Sequence, residues 1–493
     1  MSIPFKEALP GVSAMSLYVP PFRVQLERWC EWTGNSWDKI SAVVGRSFRV
    51  QGPHENVYTM AANAVLRLIL DNAVDPRELG MLALGTESST DNAAGAVIVR
   101  GMVDHGLDRL GLPRLSRRLE VPELKHACLG GVYALKNALR YVAYDGADRQ
   151  AIVVSADVAE YERGSTGEQT QGAGAVALLV EREPRLFSLD LRHAGSASDY
   201  RGPDFRKPVA RHFTDGYAPR TERPSDFPVF SGRYSTYSYL DETVHAVEDM
   251  LGRLGVQGVD YYRDVAAMYF HRPYHLMPVQ AMAFLWVRAL ARGQRHDELA
   301  ELCADARVSP AEVLRETASA PDLYAAMVQG GHGVDPYAAT SAAAGVLRKR
   351  PSFDQLLRDK MSLGSETARD LGNLYSAALP AWIAAGLEEA AARGLELTGT
   401  PMLAVGYGSG DAAEAIPLQL REGWEAAARR IGCARALAKA IDLDRAQYES
   451  LHDRRELPGI TYLPQDEFTI ARVGSTYESG FQDLGVEYYE YAV

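Results

Sequence analysis

Short runs of consecutive apolar residues recur along the chain, each bounded by glycine, proline or polar residues. They are Leu79–Gly85, Ala151–Asp157, Ala173–Val180, Val265–His271 and Pro401–Tyr407. Runs of this length without polar alternation predict strands buried on both faces. Between them, Gly130–Tyr144 and Pro278–Arg292 place apolar residues three and four apart, the repeat of an amphipathic helix. Strands alternating with such helices predict an α/β fold with mostly parallel strands. The polar stretch Tyr200–Phe230, rich in Arg and Pro, separates a strand-rich first half from a more helical second half.

Composition and charge remove several function classes. The chain has 493 residues, 47% of them hydrophobic, with 25 Tyr, 13 Phe and 6 Trp. Such a chain can bury a large core and is not disordered. The formal charge of −12 is the wrong sign for a non-specific nucleic-acid or anionic-membrane binder. Neither partner is expected. Cys30, Cys128, Cys303 and Cys433 are far apart, which predicts neither a disulfide framework nor a zinc site. The first residues lack the basic and apolar regions of a signal peptide. The longest apolar-looking stretch, 268–287, contains His271, Arg272, Pro273, His275 and Pro278, which a membrane span tolerates poorly. A cytoplasmic protein is expected.

Candidate chemistry sits at the ends of the apolar runs. Cys128 comes just before a Gly130-Gly131 pair and a helical pattern, where a helix N-terminus would stabilise a thiolate. A small core residue is an equally good reading of that position. Glu87 follows the Leu79–Gly85 run, beyond the carboxyl end of a strand. Partial burial there would raise its pKa and suit it to be a base, although a loop acid is locally the commoner outcome. His271 ends another run, and Pro273 and Pro278 predict a turn that leaves its imidazole exposed. Asn373 could orient that imidazole or cap a helix. The Gly406–Gly410 turn offers backbone N–H groups. The basic residues Arg201, Arg206, Lys207, Arg211, Arg220 and Arg223 read as a solvated loop, or as an anion site beside the core.

Taken together, the motifs resemble one family. GTESSTD (85–91), ACLGGVYAL (127–135), SADVAEY (155–161), GEQTQGAGAVALLV (167–180), YSTYSYLD (234–241), FHRPY (270–274), GNLYSAAL (372–379) and YGSG (407–410) are similar, in this order, to those of 3-hydroxy-3-methylglutaryl-CoA synthases of the thiolase superfamily. The resemblance implies a five-layered αβαβα fold of two similar halves, residues 1–230 and 231–493, and a homodimer. Residues 290–365 carry no motif and read as a helical insertion. It implies acetyl transfer to Cys128, proton transfer by Glu87 and binding of the acceptor's ketone oxygen by His271. Asn373, Ser409, Asp157, Asp204, Tyr161 and Gly174 fall on positions that hold or support the substrates. The implied substrates are acetyl-CoA and acetoacetyl-CoA, with no metal or organic cofactor.

Where the family commonly has a lysine after its His-x-Pro-aromatic motif, this chain has none. Arg272 or the 201–223 basic residues are the candidates to meet coenzyme A phosphates in its place. The same departure keeps open an acceptor on an acyl carrier protein, as in polyketide β-branching. Other rivals are a decarboxylating ketosynthase, a cysteine hydrolase using Cys128, His271 and Asn373, and a non-catalytic binding subunit.

Overall fold

The computed structural model describes residues 9–89, 92–207, 210–212, 216–223, 225–293, 295–331 and 333–493. Thr90 and Asp91 of the first motif, and Pro208 after Lys207, lie outside them. The core strands are β1 (Gly11–Tyr18), β2 (Leu79–Gly85), β3 (Gln150–Ala159), β4 (Gly172–Glu181), β5 (Phe187–Leu189), β6 (Met268–Phe270), β7 (Pro401–Gly408) and β8 (Ala412–Leu420). They belong to one ten-stranded sheet in the order β6-β7-β8-β5-β1-β4-β3-β2, ending on the short strand Glu123–Leu124.

The apolar runs form strands because both of their faces are buried. Alternate residues of a strand point to opposite faces, and in β3 each face meets its own core. Ile152, Val154 and Ala156 of β3 join the cluster around α1 (Val57–Asp71) and α2 (Gly95–Arg109). Ala151 and Val153 join the cluster that includes Leu139 of α3 (Gly130–Ala143) and Trp382 of α6 (Ala378–Ala392). On the far side, α4 (Arg233–Leu254) covers β7 and β8, and α5 (Leu276–Arg292) packs behind it. Helices, strands, central helices, strands and helices therefore alternate in five layers, a thiolase-like arrangement.

Strand direction differs from the expectation. Within this sheet, among the described residues, parallel strand pairing is confined to β2 with β3, β2 with Glu123–Leu124, and β6 with β7. The pairs β1/β4, β3/β4, β7/β8 and β5/β8 are antiparallel. A strand buried on both faces is a continuous apolar run in either direction, so the pattern does not encode direction. The run at 265–271 also shortens to Met268–Phe270, although His271 N–H still donates to the Val405 carbonyl at 2.7 Å.

Two regions without motifs have defined places. Residues 296–361 supply the helices His296–Ala306, Pro310–Ala318, Leu323–Gly330, Ala338–Leu347 and Pro351–Met361, several packed on or around α5. Phe22–Gln25, Ser47–Val50 and Ile441–Asp442 form a separate three-stranded sheet. No helix among the described residues is long and apolar enough to cross a membrane.

A buried ion pair, Lys136 Nζ of α3 to Glu414 Oε2 of β8 at 2.6 Å, ties the central helix to the sheet. Both side chains are at most a tenth exposed. Removing the cation alone leaves a buried carboxylate unpaired, which typically costs about 3–5 kcal/mol. Lys136→Met is expected to lower the unfolding free energy in denaturant titrations by that amount. An unchanged midpoint would show that the pair does not hold the layers together.

Candidate active site

Close backbone approach brings the candidate residues together. A Cβ on Gly131 would lie 2.1 Å from Ser155 Oγ, so only glycine lets the start of α3 rest on the middle of β3. A Cβ on Gly408 would lie 2.6 Å from the His126 carbonyl oxygen, so the end of β7 presses on the other side of the cysteine loop. Cys128 is thereby held between the ends of several strands. Its Sγ is 3.9 Å from Glu87 Oε2.

Asp157 holds that pair in register. Its Oδ1 accepts from Thr86 Oγ1 at 2.9 Å, Glu87 N–H at 2.7 Å, and Ser88 N–H and Oγ at 2.9 and 2.7 Å. Its Oδ2 accepts from Ser376 N–H at 2.9 Å and from Ser376 Oγ. The carboxylate thus joins the Glu87 loop to the segment that follows Asn373. Asp157 is fully buried and does not line the cavity, so it positions the site rather than touching a ligand. Gly174, its cross-strand partner in β4, is also off the cavity. A Cβ there would meet the Tyr18 carbonyl at 2.9 Å, so its lack of a side chain serves packing.

A cavity of about 340 Å³ opens over Cys128. Tyr161, His271, Asn373 and Ser409 line it, together with Phe205, Tyr239, Tyr375 and Tyr407. These aromatic residues are the ones sequence reasoning did not single out. For Tyr239, Tyr375 and Tyr407 the only signal was their place inside the quoted motifs, and Phe205 lies outside them. Val43 and Val44, from a region with no motif, also reach the cavity. Asn373 Oδ1 accepts from the Tyr375 N–H at 2.9 Å, which leaves its NH₂ to address a ligand.

His271 is buried, not exposed as its turn predicted. Tyr407 stacks on its ring with centroids 6.2 Å apart, and the Tyr239 hydroxyl donates to its carbonyl at 2.8 Å. Its Nδ1 has no protein partner. Burial pushes its pKa down to about 3, so the imidazole is neutral at physiological pH. Asp204 does not line the cavity either. It accepts from the Tyr407 hydroxyl at 3.3 Å, which also donates to Asp411 at 2.7 Å, and so supports the ring that covers His271.

Burial also governs the other two groups. Glu87 is pushed up to about 8, first by burial and then by the negative charge of Asp157, with Lys207 acting the other way. Cys128 is pushed well above the ordinary thiol value by burial and by the charges of Glu87 and Asp157. The expected helix-stabilised thiolate is therefore absent at rest. The helix starts two residues later, and its pull is weaker than the cost of a charged sulfur in a buried site.

The anion-binding expectation also changes. Arg272 is buried, hydrogen-bonded to Ser365 and His275 and stacked on Trp382, so it does not face a coenzyme phosphate. Arg201 is buried against Glu242 at 2.6 Å, Arg223 pairs with Glu160 at 2.7 Å, and Lys207 with Asp226 at 2.9 Å. Arg220 donates to the Arg163 carbonyl at 2.7 Å. Arg206 and Arg211 remain exposed. Among the described residues no cluster of His, Cys, Asp and Glu is arranged to hold a metal ion.

Residues 7–184 match the family described as Hydroxymethylglutaryl-coenzyme A synthase N terminal. The Hydroxymethylglutaryl-CoA synthase of Haloferax volcanii is 27% identical over 402 residues, 81% of each chain. That of Enterococcus faecalis is 30% identical over 274 residues, 55% of this chain and 63% of its own. The chain is thus similar to hydroxymethylglutaryl-CoA synthases along most of its length. Among solved structures, MvaS in complex with 3-hydroxy-3-methylglutaryl coenzyme A shares the fold with a TM-score of 0.75 and 23% identity, covering 99% of this chain and 100% of the other. The Curacin Biosynthetic Pathway HMG Synthase in complex with holo donor-ACP shares it with a TM-score of 0.70 and 19% identity, covering 98% and 100%.

In this site, the carboxylate of Glu87 should hinder thiolate formation. Glu87→Gln removes that charge, lowers the thiol pKa and increases the thiolate fraction at a given pH. Alkylation of Cys128 by iodoacetamide, followed by peptide mapping, is expected to rise with pH through 9 in the wild type. In Glu87→Gln it should be faster than in the wild type at pH 8, because one of the charges that raise the thiol pKa is gone. Slower alkylation would instead make Glu87 the base that activates the thiol.

Proposed function

We propose that this protein is an acyltransferase that condenses acetyl-CoA with acetoacetyl-CoA and water to give 3-hydroxy-3-methylglutaryl-CoA. The observation that carries this reading is one cavity lined by both Cys128 and a neutral His271, with Glu87, itself off the cavity wall, reaching to 3.9 Å from the Cys128 sulfur. Cys128 sulfur attacks the acetyl thioester, and coenzyme A leaves with the thiol proton. Glu87, as carboxylate, takes a proton from the acetyl methyl group. The new carbanion equivalent adds to the C3 ketone of the acceptor, and the alkoxide formed takes one proton to become the 3-hydroxyl, balancing the one Glu87 removed. His271 donates a hydrogen bond to the oxygen where charge develops, an oxyanion-type role that a neutral imidazole can fill. Water then cleaves the thioester, freeing the acid product and the thiol.

The aromatic lining suits acyl groups on a pantetheine arm, and among the described residues it contains no Lys or Arg. That absence supports a second form of the reading, with a partner substrate on an acyl carrier protein rather than on coenzyme A. Both carriers share the arm, and the chemistry at Cys128 is the same. Acetyl-CoA offered with acetoacetyl-CoA or acetoacetyl carrier protein, with products identified by mass spectrometry, separates the two. We infer a homodimer of this chain as the working form, with the sheet edge at Glu123–Leu124 next to the cysteine loop as the natural contact.

Two results are expected. Glu87→Gln should still acetylate Cys128 but lose condensation by ~10²–10⁴-fold. The base form of Glu87 is the deprotonated one, so wild-type condensation should rise with pH up to about 8 and level off above it. Wild-type condensation in Glu87→Gln would remove Glu87 from the mechanism. His271→Ala should spare acetylation and slow condensation by ~10²–10³-fold. Equal losses in both half-reactions, measured by intact mass and product formation, would assign His271 to the thiol instead.

A further inference from the structure

A second cavity lies on the other side of Tyr375. It measures about 270 Å³, and Ser88, Val158, Lys207, Asp226 and Tyr375 are on its walls. Tyr375 lines both cavities, and Ser88 is the residue after Glu87. The two spaces differ in chemistry. The cavity over Cys128 is lined mostly by aromatic and aliphatic side chains. The second carries Lys207, Arg223 and Arg455 with Glu160, Asp226 and Glu487. A space of this size lined by charged groups holds water, whereas an apolar one tends to stay dry.

The second cavity also reaches solvent. The Lys207 and Asp226 side chains, paired at 2.9 Å, are 29% and 55% exposed. On its inner side, Ser88 Oγ donates to Asp157 Oδ1 at 2.7 Å and accepts from Val158 N–H at 3.0 Å. The charged groups acting on Glu87 come from both directions. Cys128 and Asp157 act from the strand ends, and Lys207 and Asp226 from the second cavity.

During the proposed reaction the apolar cavity is filled by the acyl chain on Cys128 and by the acceptor with its pantetheine arm. Hydrolysis nonetheless requires a water at the thioester. We propose that the polar cavity is the water and proton port of the active site, delivering the hydrolytic water past Ser88 and Tyr375 and returning protons from Glu87 to solvent. This inference rests on the acyltransferase reading above. In the step it serves, the water oxygen bonds to the acyl carbon and the carbon–sulfur bond breaks. One water proton goes to Sγ, and the other leaves with ionisation of the acid through the port.

The test uses the purified full-length enzyme and acetyl-CoA alone, with acetyl-Cys128 followed by intact mass. Val158→Phe fills the port from its wall without touching the apolar cavity. Acetylation should proceed at the wild-type rate, while decay of acetyl-Cys128 to free thiol and acetate slows about tenfold, as expected when water is excluded from a reacting centre. Unchanged decay would overturn the port. If phenylalanine disturbs the Ser88–Asp157 contacts and acetylation is lost, Lys207→Gln decides. Loss of the ammonium should move the pH midpoint of acetyl-methyl deuterium exchange upward from about 8, and Lys207→Arg should restore it. An unmoved midpoint would overturn the proposal. Failure of the wild type to form acetyl-Cys128 would instead overturn the acyltransferase reading.

Discussion

The site depends on one buried carboxylate. Asp157 gathers the backbone and hydroxyl donors of Thr86, Glu87 and Ser88 on one oxygen and those of Ser376 on the other. Burial pushes its pKa up, and the hydrogen bonds from Ser376, Ser88 and Glu87 work against that push by stabilising the charged form. The result is a fixed anchor between the end of β2 and the segment 373–377. Glu87 keeps its reach to Cys128 because its own N–H is held there. An alternative use of the same carboxylate, as a ligand for substrate, is closed off because every lone-pair direction faces the protein.

One environment gives three groups different characters. Desolvation penalises charge whatever its sign. It raises Glu87 to about 8, lowers His271 to about 3 and raises Cys128. A base usable near neutrality, a neutral hydrogen-bond donor and a protonated nucleophile therefore arise from the same apolar cavity. Burial of the sulfur, with the negative charge of Asp157 and of Glu87 once it ionises, makes a resting thiolate unfavourable. That arrangement favours proton abstraction from the bound acetyl group over permanent activation of the thiol.

Much of this was legible in the sequence, and the limits have physical reasons. The runs at 79–85, 151–157 and 173–180 were legible as strands because both faces are buried, but burial carries no information on direction, so antiparallel β4 was missed. Cys128, Glu87, His271 and Asn373 were legible through their motifs at strand ends. Which motif residues face the cavity was not. Asp157 and Gly174 are cross-strand partners whose neighbours lie on other strands, and their inward direction follows from register. The depth of His271 depends on Tyr239 and Tyr407, which lie far away in the chain. Val43 and Val44 close the cavity from a segment with no motif at all.

The claim that Asp157 holds the reacting pair is open to one direct measurement, exchange of the methyl hydrogens of acetyl-Cys128 with deuterated solvent in Asp157→Asn. Asparagine keeps one acceptor oxygen but turns a donor toward either the Glu87 loop or Ser376, so one side of the anchor is lost. The account predicts a folded enzyme that still forms acetyl-Cys128 but exchanges its methyl hydrogens about a hundredfold more slowly, the scale of a displaced acid/base group. Exchange at the wild-type rate would show that Glu87 keeps its position without Asp157, and would contradict the account.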